Sequence, residues 1–199
     1  MQCLQDRQRE MSEYLKNDIG RIISLRTSQV MEHLYANKDN LLQSLVNSVE
    51  STAASVHHLI ANGKKQKIRY MQFSFLLSNA LTRELRFRID FYDARYYSDI
   101  TDIGGYWDYS ELFGFIDEDI EFLHMKLSEK FARIKEYELV DIRMVYHIAV
   151  FAIMEMVLTE LVSDIAFAQV LTEIFEPEIY VFYGAYMDQS KLTAKVRKR

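Results

Sequence analysis

Apolar residues recur every three or four positions through the first third of the chain. Residues 4–36 carry one apolar stripe, and residues 42–60 carry a second with the same spacing. This spacing places the apolar side chains on one face of a helix. Gly63 then provides a signal that ends the second helix. The pattern predicts an N-terminal helical hairpin over residues 1–63, with a coiled coil between two chains as the alternative.

The hydrophobic period changes near the middle of the chain. Residues 66–85 have helical spacing and predict a third helix. From residue 86 the apolar side chains of Phe87, Ile89 and Phe91 alternate with charged ones. A period of two residues is typical of a half-buried strand. We expect a small β-hairpin over residues 86–98.

The C-terminal half returns to helical patterns. Residues 117–135 predict one helix, and residues 139–175 are apolar almost all round, as in the central helix of a bundle. The only proline, Pro177, ends this second helix. The basic segment 191–199 predicts a flexible tail.

Composition favours helices as the main element. The chain contains only six Gly and one Pro among 199 residues, whereas an all-β protein of this length needs many tight turns. We therefore predict a mainly α fold, a bundle of about five to seven helices with the hairpin at 86–98 embedded in it. A single helical domain is expected over residues 1–190, with the N-terminal hairpin followed by a helical core over residues 64–190.

Charge and cysteine content limit the function classes. The formal net charge of −5 argues against a general nucleic-acid footprint. Cys3 is the only cysteine, so a disulfide framework and a cysteine-based zinc site are excluded. The N-terminal sequence has no apolar segment of the signal-peptide type, and the apolar run 144–158 is too short for a membrane span. These features predict a cytoplasmic protein without membrane contact.

Aromatic residues are concentrated in one part of the chain. Residues 70–115 hold thirteen of the 26 Phe, Tyr and Trp residues. A small-molecule pocket would have aromatic walls and acidic anchors. The candidate walls are Tyr96, Tyr97, Tyr106 and Trp107, and the candidate anchors are Asp90, Asp93 and Asp99. The alternative is that these rings only fill the core between the hairpin and the helices.

Basic residues accompany these aromatic ones. They are Lys64, Lys65, Lys67, Arg69, Arg83, Arg86, Arg88 and Arg95. Arginines beside aromatic rings suit single-stranded nucleic acid, so weak binding through a local patch is one hypothesis. The alternative is that these residues form the solvated face of a strand. The sequence has no glycine-rich phosphate loop that would favour nucleic-acid binding.

One sequence motif raises the prospect of a metal centre. Glu121 and His124 stand three positions apart, as in one half of the di-iron site of helical bundles. A second such motif is absent, although His147 and Glu155 on a later helix are candidates to complete the set. The motif predicts a metal-dependent enzyme in the bundle core as an alternative function, and a solvated or core-edge histidine as the simpler explanation.

Taken together, the sequence favours a non-catalytic binding or regulatory protein. We expect it to recognise a small molecule or a protein partner through the aromatic region, and ligand binding to change the fluorescence of Trp107. No cofactor is predicted. A homodimer is expected, formed through the N-terminal helices or through the edge of the hairpin.

Overall fold

In the computed structural model, helices flank a five-stranded mixed β-sheet. The structure describes residues 2–101, 103–169 and 171–198. The helices are α1 (Gln2–Ala36), α2 (Lys38–Ala61), α3 (Asn79–Thr82), α4 (Ser110–Phe113), α5 (Ile116–Lys130), α6 (Glu136–Val162) and α7 (Ile165–Gln169). The strands are β1 (Ile68–Phe75), β2 (Arg86–Tyr92), β3 (Gly104–Asp108), β4 (Phe175–Ala185) and β5 (Ser190–Arg197).

The strand order in the sheet is β3-β2-β1-β4-β5. Strands β1 and β4 are parallel, and the three other pairs are antiparallel. The parallel pair joins Met71 to Val181 and Phe73 to Tyr183, so the chain between β1 and β4 makes a long crossover that contains α5 and α6. The centre of the sheet therefore depends on contacts between residues far apart in the sequence.

The fold is mixed α/β, so the prediction of a mainly α bundle with one hairpin is wrong. The segment 66–85, expected as a helix, contains β1 and the short helix α3. Met71 and Phe73, two positions apart, are both buried, as in a strand. Tyr70 and Phe73, three positions apart, also fit the spacing of a helix. A short apolar run has no decisive period by itself, and pairing with β2 and β4 decides its conformation.

The predicted hairpin at 86–98 is also corrected. Residues 86–92 form strand β2, but residues 96–98 form a 3₁₀ turn instead of a returning strand. Strand β2 pairs with β1 on one side and with β3 on the other, so it has no free edge. The expected dimer contact through a hairpin edge loses its basis, and association through the N-terminal helices stays a prediction.

The C-terminal segment is ordered within the sheet. Strand β5 runs through most of the segment 191–199 for which we expected a flexible tail, and it pairs antiparallel with β4. Val196 is buried there, while Lys191 and Arg197 stay exposed. Strand β5 carries the folded part of the chain past residue 190, where we expected it to end.

A polar contact joins three helices beneath the sheet. The buried carboxylate of Asp119 on α5 accepts two hydrogen bonds from the Arg26 guanidinium on α1, at 2.6 and 2.9 Å. It also accepts a hydrogen bond from the hydroxyl of Tyr146 on α6. Paired donors of this kind satisfy a charge that burial would otherwise destabilise. The contact links α1, α5 and α6 to one another.

Helix α2 packs against β3. The side chain of Thr52 lies against Gly105, where a Cβ atom would come within 1.8 Å of the Thr52 hydroxyl oxygen. The indole Nε1 of Trp107 donates to the Ser44 hydroxyl at 3.2 Å. This contact places Trp107 on the face of the sheet that the helices cover, which we call the helix-packed face.

Helix α6 is long and apolar. Its 27 residues include a window of mean hydropathy 1.7, which by length and composition alone would be enough to cross a membrane. More than half of that window, 56%, is buried inside the protein, and the core helix of a globular protein has the same character. The ring of Phe151 stacks on Phe75 of β1 at 4.0 Å, so this helix packs directly on the sheet.

Candidate functional site

The other face of the sheet carries an aromatic and polar surface. Because side chains alternate along a strand, residues opposite in parity to Met71 and Ile89 point away from the helices. This surface, which we call the loop face, comprises Tyr70, Gln72 and Ser74 of β1, Arg88, Asp90 and Tyr92 of β2, and Tyr180 and Phe182 of β4. The loop 93–101 folds over its centre.

The rings on this face form a continuous cluster. Tyr96 contacts Tyr97 at 4.2 Å, Tyr70 at 4.8 Å and Tyr92 at 5.4 Å between ring centroids. Tyr180 extends the cluster from Tyr70 at 5.8 Å. Edge and tilted contacts at these distances stabilise aromatic pairs. The cluster holds the 3₁₀ turn against the sheet.

Two ion pairs anchor the loop 93–101. Lys65 and Asp99 form one pair, and both side chains are fully buried. Arg95 and Asp93 form the other, at 2.5 Å, with the Asp93 carboxylate fully buried. Burial opposes the charge of Asp93, but hydrogen bonds from Arg95 and from the backbone N–H of Gln66 outweigh it and lower the pKa of Asp93 to about 2. Both pairs preorganise the loop.

Asp99 is almost fully occupied within the loop. Besides Lys65, its carboxylate accepts the Thr101 hydroxyl at 2.6 Å and the backbone N–H of Asp93 at 3.2 Å. Burial again opposes the charge, and the Lys65 ammonium with these donors lowers the pKa of Asp99 below its ordinary value. The main role of Asp99 is therefore to hold the loop together.

Gln72 fixes the two tyrosines of the turn. Its side-chain oxygen accepts the Tyr97 hydroxyl at 2.9 Å and the Tyr96 hydroxyl at 3.1 Å. Its side-chain nitrogen donates to the Ser74 hydroxyl at 3.2 Å. Because Gln72 and Ser74 are buried, both rings have a defined orientation.

Arg88 lies flat along the loop face. Its Nε donates to the two carboxylate oxygens of Asp90 at 2.8 and 3.1 Å, and its guanidinium lies 4.7 Å from the ring centroid of Tyr186. A Cβ atom on Gly104 would come within 2.9 Å of that guanidinium, so glycine leaves the space it occupies. Burial, followed by the charge of Asp90, raises the pKa of Tyr92 well above its ordinary value.

A cavity of about 430 Å³ opens between β2, residues 97–101 with Ile103, and the turn that joins β4 to β5. Its polar and aromatic lining comes from Asp90, Phe91, Tyr92, Tyr97, Asp99, Thr101 and Tyr186. The volume is within the range of small-molecule sites. Ile100 and Met187, with 94% and 71% of their surface exposed, stand on loops from different parts of the chain and both contribute to this lining.

The structure brings together some of the residues that the sequence singled out. Asp90, Tyr97 and Asp99 line the cavity, and Tyr96 and Asp93 hold its loop in place. The remaining two candidates, Tyr106 and Trp107, do not line the cavity.

Tyr106 and Trp107 lie on β3, outside the cavity lining. Trp107 is buried on the helix-packed face. Tyr106 is exposed on the loop face with the Arg86 guanidinium 4.3 Å from its ring centroid. The fluorescence of Trp107 is therefore not a direct reporter of the cavity.

Seven of the ten lining residues were missed in the sequence analysis, among them three with polar side chains, Tyr92, Thr101 and Tyr186. Tyr92 has the parity of Asp90 on β2, and this signal was available in the alternating pattern. Thr101 and Tyr186 had no such signal, because the position of Tyr186 depends on the parallel pairing of β1 and β4.

The residues proposed for a metal centre are dispersed. Glu121 and His124 are exposed on α5, whereas His147 is buried on α6 and Glu155 pairs with Lys191 at 2.5 Å. Within the described part of the chain, no three His, Cys, Asp or Glu side chains come together as a metal site. The four residues therefore do not form the bundle-core centre that the motif suggested.

The predicted basic patch is largely paired with acids. Five of its eight side chains have an acidic partner: Lys65 with Asp99, Arg83 with Asp117, Arg86 with Glu84, Arg88 with Asp90, and Arg95 with Asp93. Each pairing reduces the charge presented to a phosphate chain.

Comparison with family models, with curated proteins and with solved structures found no match to this chain. Any functional assignment must therefore be argued from the residues of the cavity and their chemistry.

Proposed function

We propose that this protein is a non-catalytic binding protein that takes a small ring-bearing molecule into the cavity on the loop face. The observation that carries the proposal is the meeting of three tyrosines, Tyr92, Tyr97 and Tyr186, around a cavity of about 430 Å³ with the carboxylate of Asp90 in its lining. Aromatic walls with a few fixed polar groups are typical of ligand sites.

The fixed geometry of the walls supports binding of a ligand in one orientation. Tyr97 is held by Gln72, and the loop that carries it is anchored by the buried pair of Lys65 and Asp99. A site whose side chains are already oriented loses less entropy when a ligand binds. Because the cavity is concave, a small molecule fits it better than the surface of a protein partner.

Catalysis has less support than binding. The acids of the site are ion-paired, and the residues of the metal hypothesis are dispersed over α5 and α6. Nucleic-acid binding stays the weaker alternative because most of the basic patch is paired. Cytoplasmic localisation stays a prediction.

The proposal is tested by NMR of protein labelled at isoleucine and methionine methyl groups. The methyl signals of Ile100, Ile103 and Met187 report directly on the lining. The probes are four small ring compounds of different charge: p-cresol, benzylamine, benzoate and glucose. We expect at least one probe to shift these signals in a saturable manner, and no shift with any of them would overturn the proposal.

A matched pair of variants locates the binding. Tyr97→Ala removes a wall of the cavity, and Tyr137→Ala removes a tyrosine of similar exposure, 48% against 45%, on α6. We expect Tyr97→Ala to weaken binding about fivefold, since one aromatic contact contributes about 1 kcal/mol, and Tyr137→Ala to leave it unchanged. Equal effects of both variants would contradict the site.

A further inference from the structure

We infer that the ligand of this cavity is an uncharged ring compound rich in hydroxyl groups, of the sugar or cyclic polyol class. The inference rests on the proposed binding function and narrows its chemistry. It follows from the charges that surround the cavity, the hydrogen-bonding groups that line it, and the shape of its walls.

The charges around the cavity are balanced by internal pairs. Among residues 2–101, 103–169 and 171–198, the charged side chains that line it are Asp90 and Asp99. Arg88 and Lys65 neutralise them, and neither cation belongs to the lining. Of these two acids only Asp90 has any exposed side-chain surface, so a ligand anion would meet that carboxylate with no cation of the described lining to pair with, and like charges repel. The site is therefore unfavourable for an acid.

A ligand cation is disfavoured for a different reason. An aromatic cage binds an ammonium group against the face of a ring. In this cavity the ring of Tyr186 already has the Arg88 guanidinium 4.7 Å from its centroid. A second cation at that ring would be repelled by Arg88, while the negative charge of Asp90 is already balanced by it. An uncharged ligand avoids both penalties.

The lining carries both acceptor oxygens and hydroxyl groups that can donate. The hydroxyl of Tyr97 donates to Gln72, and the hydroxyl of Thr101 donates to Asp99. The hydroxyls of Tyr92 and Tyr186 can donate as well as accept, whereas the carboxylate of Asp90 only accepts. A complementary ligand therefore carries groups that both donate and accept, and several O–H groups on one ring do so without charge.

The walls suit a ring with an apolar face. Tyr97 and Tyr186 are 45% and 37% exposed, so their rings are available beside the cavity. Ile100 and Met187 add apolar surface to the lining. A sugar ring has C–H groups on its faces and hydroxyl groups on its rim, so it can contact the rings while its hydroxyl groups reach the carboxylate of Asp90 and the tyrosine hydroxyls.

A charge series on one ring scaffold tests the inference. The neutral probes are glucose, galactose, mannose and ribose; the cations are glucosamine and galactosamine; the anions are glucuronate and galacturonate. Binding is followed at the methyl signals of Ile103 and Met187. We expect at least one neutral sugar to bind, and glucose or galactose to bind about tenfold more tightly than its charged counterparts, because only the charged forms face repulsion.

The outcomes separate this inference from the proposed function. If no neutral sugar shifts the signals while p-cresol, benzylamine or benzoate does, the sugar class is wrong and the binding cavity stands. A charged sugar that binds as tightly as its neutral counterpart also overturns the inference. If no probe of either set binds, the proposed function fails with it.

A pair of variants checks the role of the acid. Asp90→Asn removes the one lining carboxylate with exposed side-chain surface among the described residues, and with it the repulsion of an anion, so we expect glucuronate to gain about tenfold relative to glucose. Asp188→Asn removes an exposed acid beside Met187 and should leave that ratio unchanged. An unchanged ratio in Asp90→Asn would contradict the charge argument, and the wild-type series still decides the ligand class should that variant fail to fold.

Discussion

At the scale of single residues, two positions show how packing sets the properties of a side chain. Gly105 on β3 has no side chain, and Thr52 of α2 occupies the space where a Cβ atom would lie. His147 on α6 is buried, and its Nδ1 has no hydrogen-bond partner among the described residues. Packing therefore excludes a larger side chain at Gly105 and disfavours a charged imidazole at His147.

Substitution of Gly105 tests the contact between α2 and β3. Because a Cβ atom there would come within 1.8 Å of the Thr52 hydroxyl oxygen, we expect Gly105→Ala to lower the free energy of unfolding by about 2 kcal/mol. Adding Thr52→Ala should recover part of the loss. The measurement is urea unfolding followed by circular dichroism. Gly20→Ala, where nothing lies within 4 Å, is the control; it lies inside α1 and should raise the free energy of unfolding by up to about 1 kcal/mol.

His147 predicts a pH dependence of stability. Burial, followed by the positive charge of Arg143, lowers the pKa of His147 from 6.5 to about 4. The unfolded chain binds a proton below pH 6.5 that the folded protein does not bind until about pH 4, so stability falls as the pH falls between those values. The loss for this residue is on the order of 3 kcal/mol.

Urea unfolding at several pH values between 7 and 4 measures this loss. We expect His147→Gln to reduce the slope of stability against pH in that window, because the glutamine side chain does not bind a proton there. The carboxylate of Asp93, with a pKa of about 2, contributes only at lower pH. A slope equal to that of the wild type would show that the histidine is not responsible.

At the scale of elements, the loop 93–101 is ordered by charge, whereas the helices are ordered by apolar packing. The pair of Lys65 and Asp99 is fully buried, and the pair of Lys191 and Glu155 lies at the surface. Removal of one member of a buried pair leaves an uncompensated charge, but removal of one member of an exposed pair does not. The two pairs therefore offer a direct comparison.

Lys65→Met tests whether the buried pair holds the loop. We expect a loss of stability on the order of 3 kcal/mol, because the carboxylate of Asp99 stays buried without its cation. The double variant Lys65→Met with Asp99→Asn should be more stable than Lys65→Met alone. Lys191→Met is the matched control, since Lys191 is 72% exposed, and it should leave the midpoint of urea unfolding nearly unchanged. Equal losses for Lys65→Met and Lys191→Met would contradict the argument.

At the scale of the whole molecule, the last strand, β5, forms one edge of the sheet. Strand β5 covers one side of β4, whose own partner β1 lies more than one hundred residues earlier in the chain. Without β5, the apolar strand β4 would become an edge, and exposed apolar edges promote association between chains. The C-terminal strand therefore supports both the fold and the turn that carries Tyr186.

Truncation tests this role of β5. Removal of residues 190–199 should destabilise the protein, with about 2 kcal/mol lost from the burial of Val196 alone, and should produce aggregates. Removal of residues 198–199 leaves β5 in place and is the control. Light scattering and thermal unfolding measure the two effects. A monomeric truncated protein with unchanged thermal stability would show that the segment is the tail that its composition suggested.

Much of the local structure could be predicted from the sequence, because it depends on periodicity within one segment. The stripes over 4–36 and 42–60 form α1 and α2, and the alternation after residue 86 forms β2. The concentration of rings in residues 70–115 also indicated where part of the cavity lies. Each of these properties is carried by neighbouring residues, so a single segment contains the necessary information.

Tertiary structure decided the rest, because it depends on partners distant in the chain. Residues 68–75 fit a helix or a strand, and pairing with β2 and β4 made them a strand. The basic end became β5 only because β4 offers it an edge. The same long-range pairing brings Tyr186 to Tyr92, turns Trp107 toward α2 and separates His147 from Glu121. Local sequence determined the helices and the aromatic content, whereas contacts across the sheet determined the fold class and the cavity.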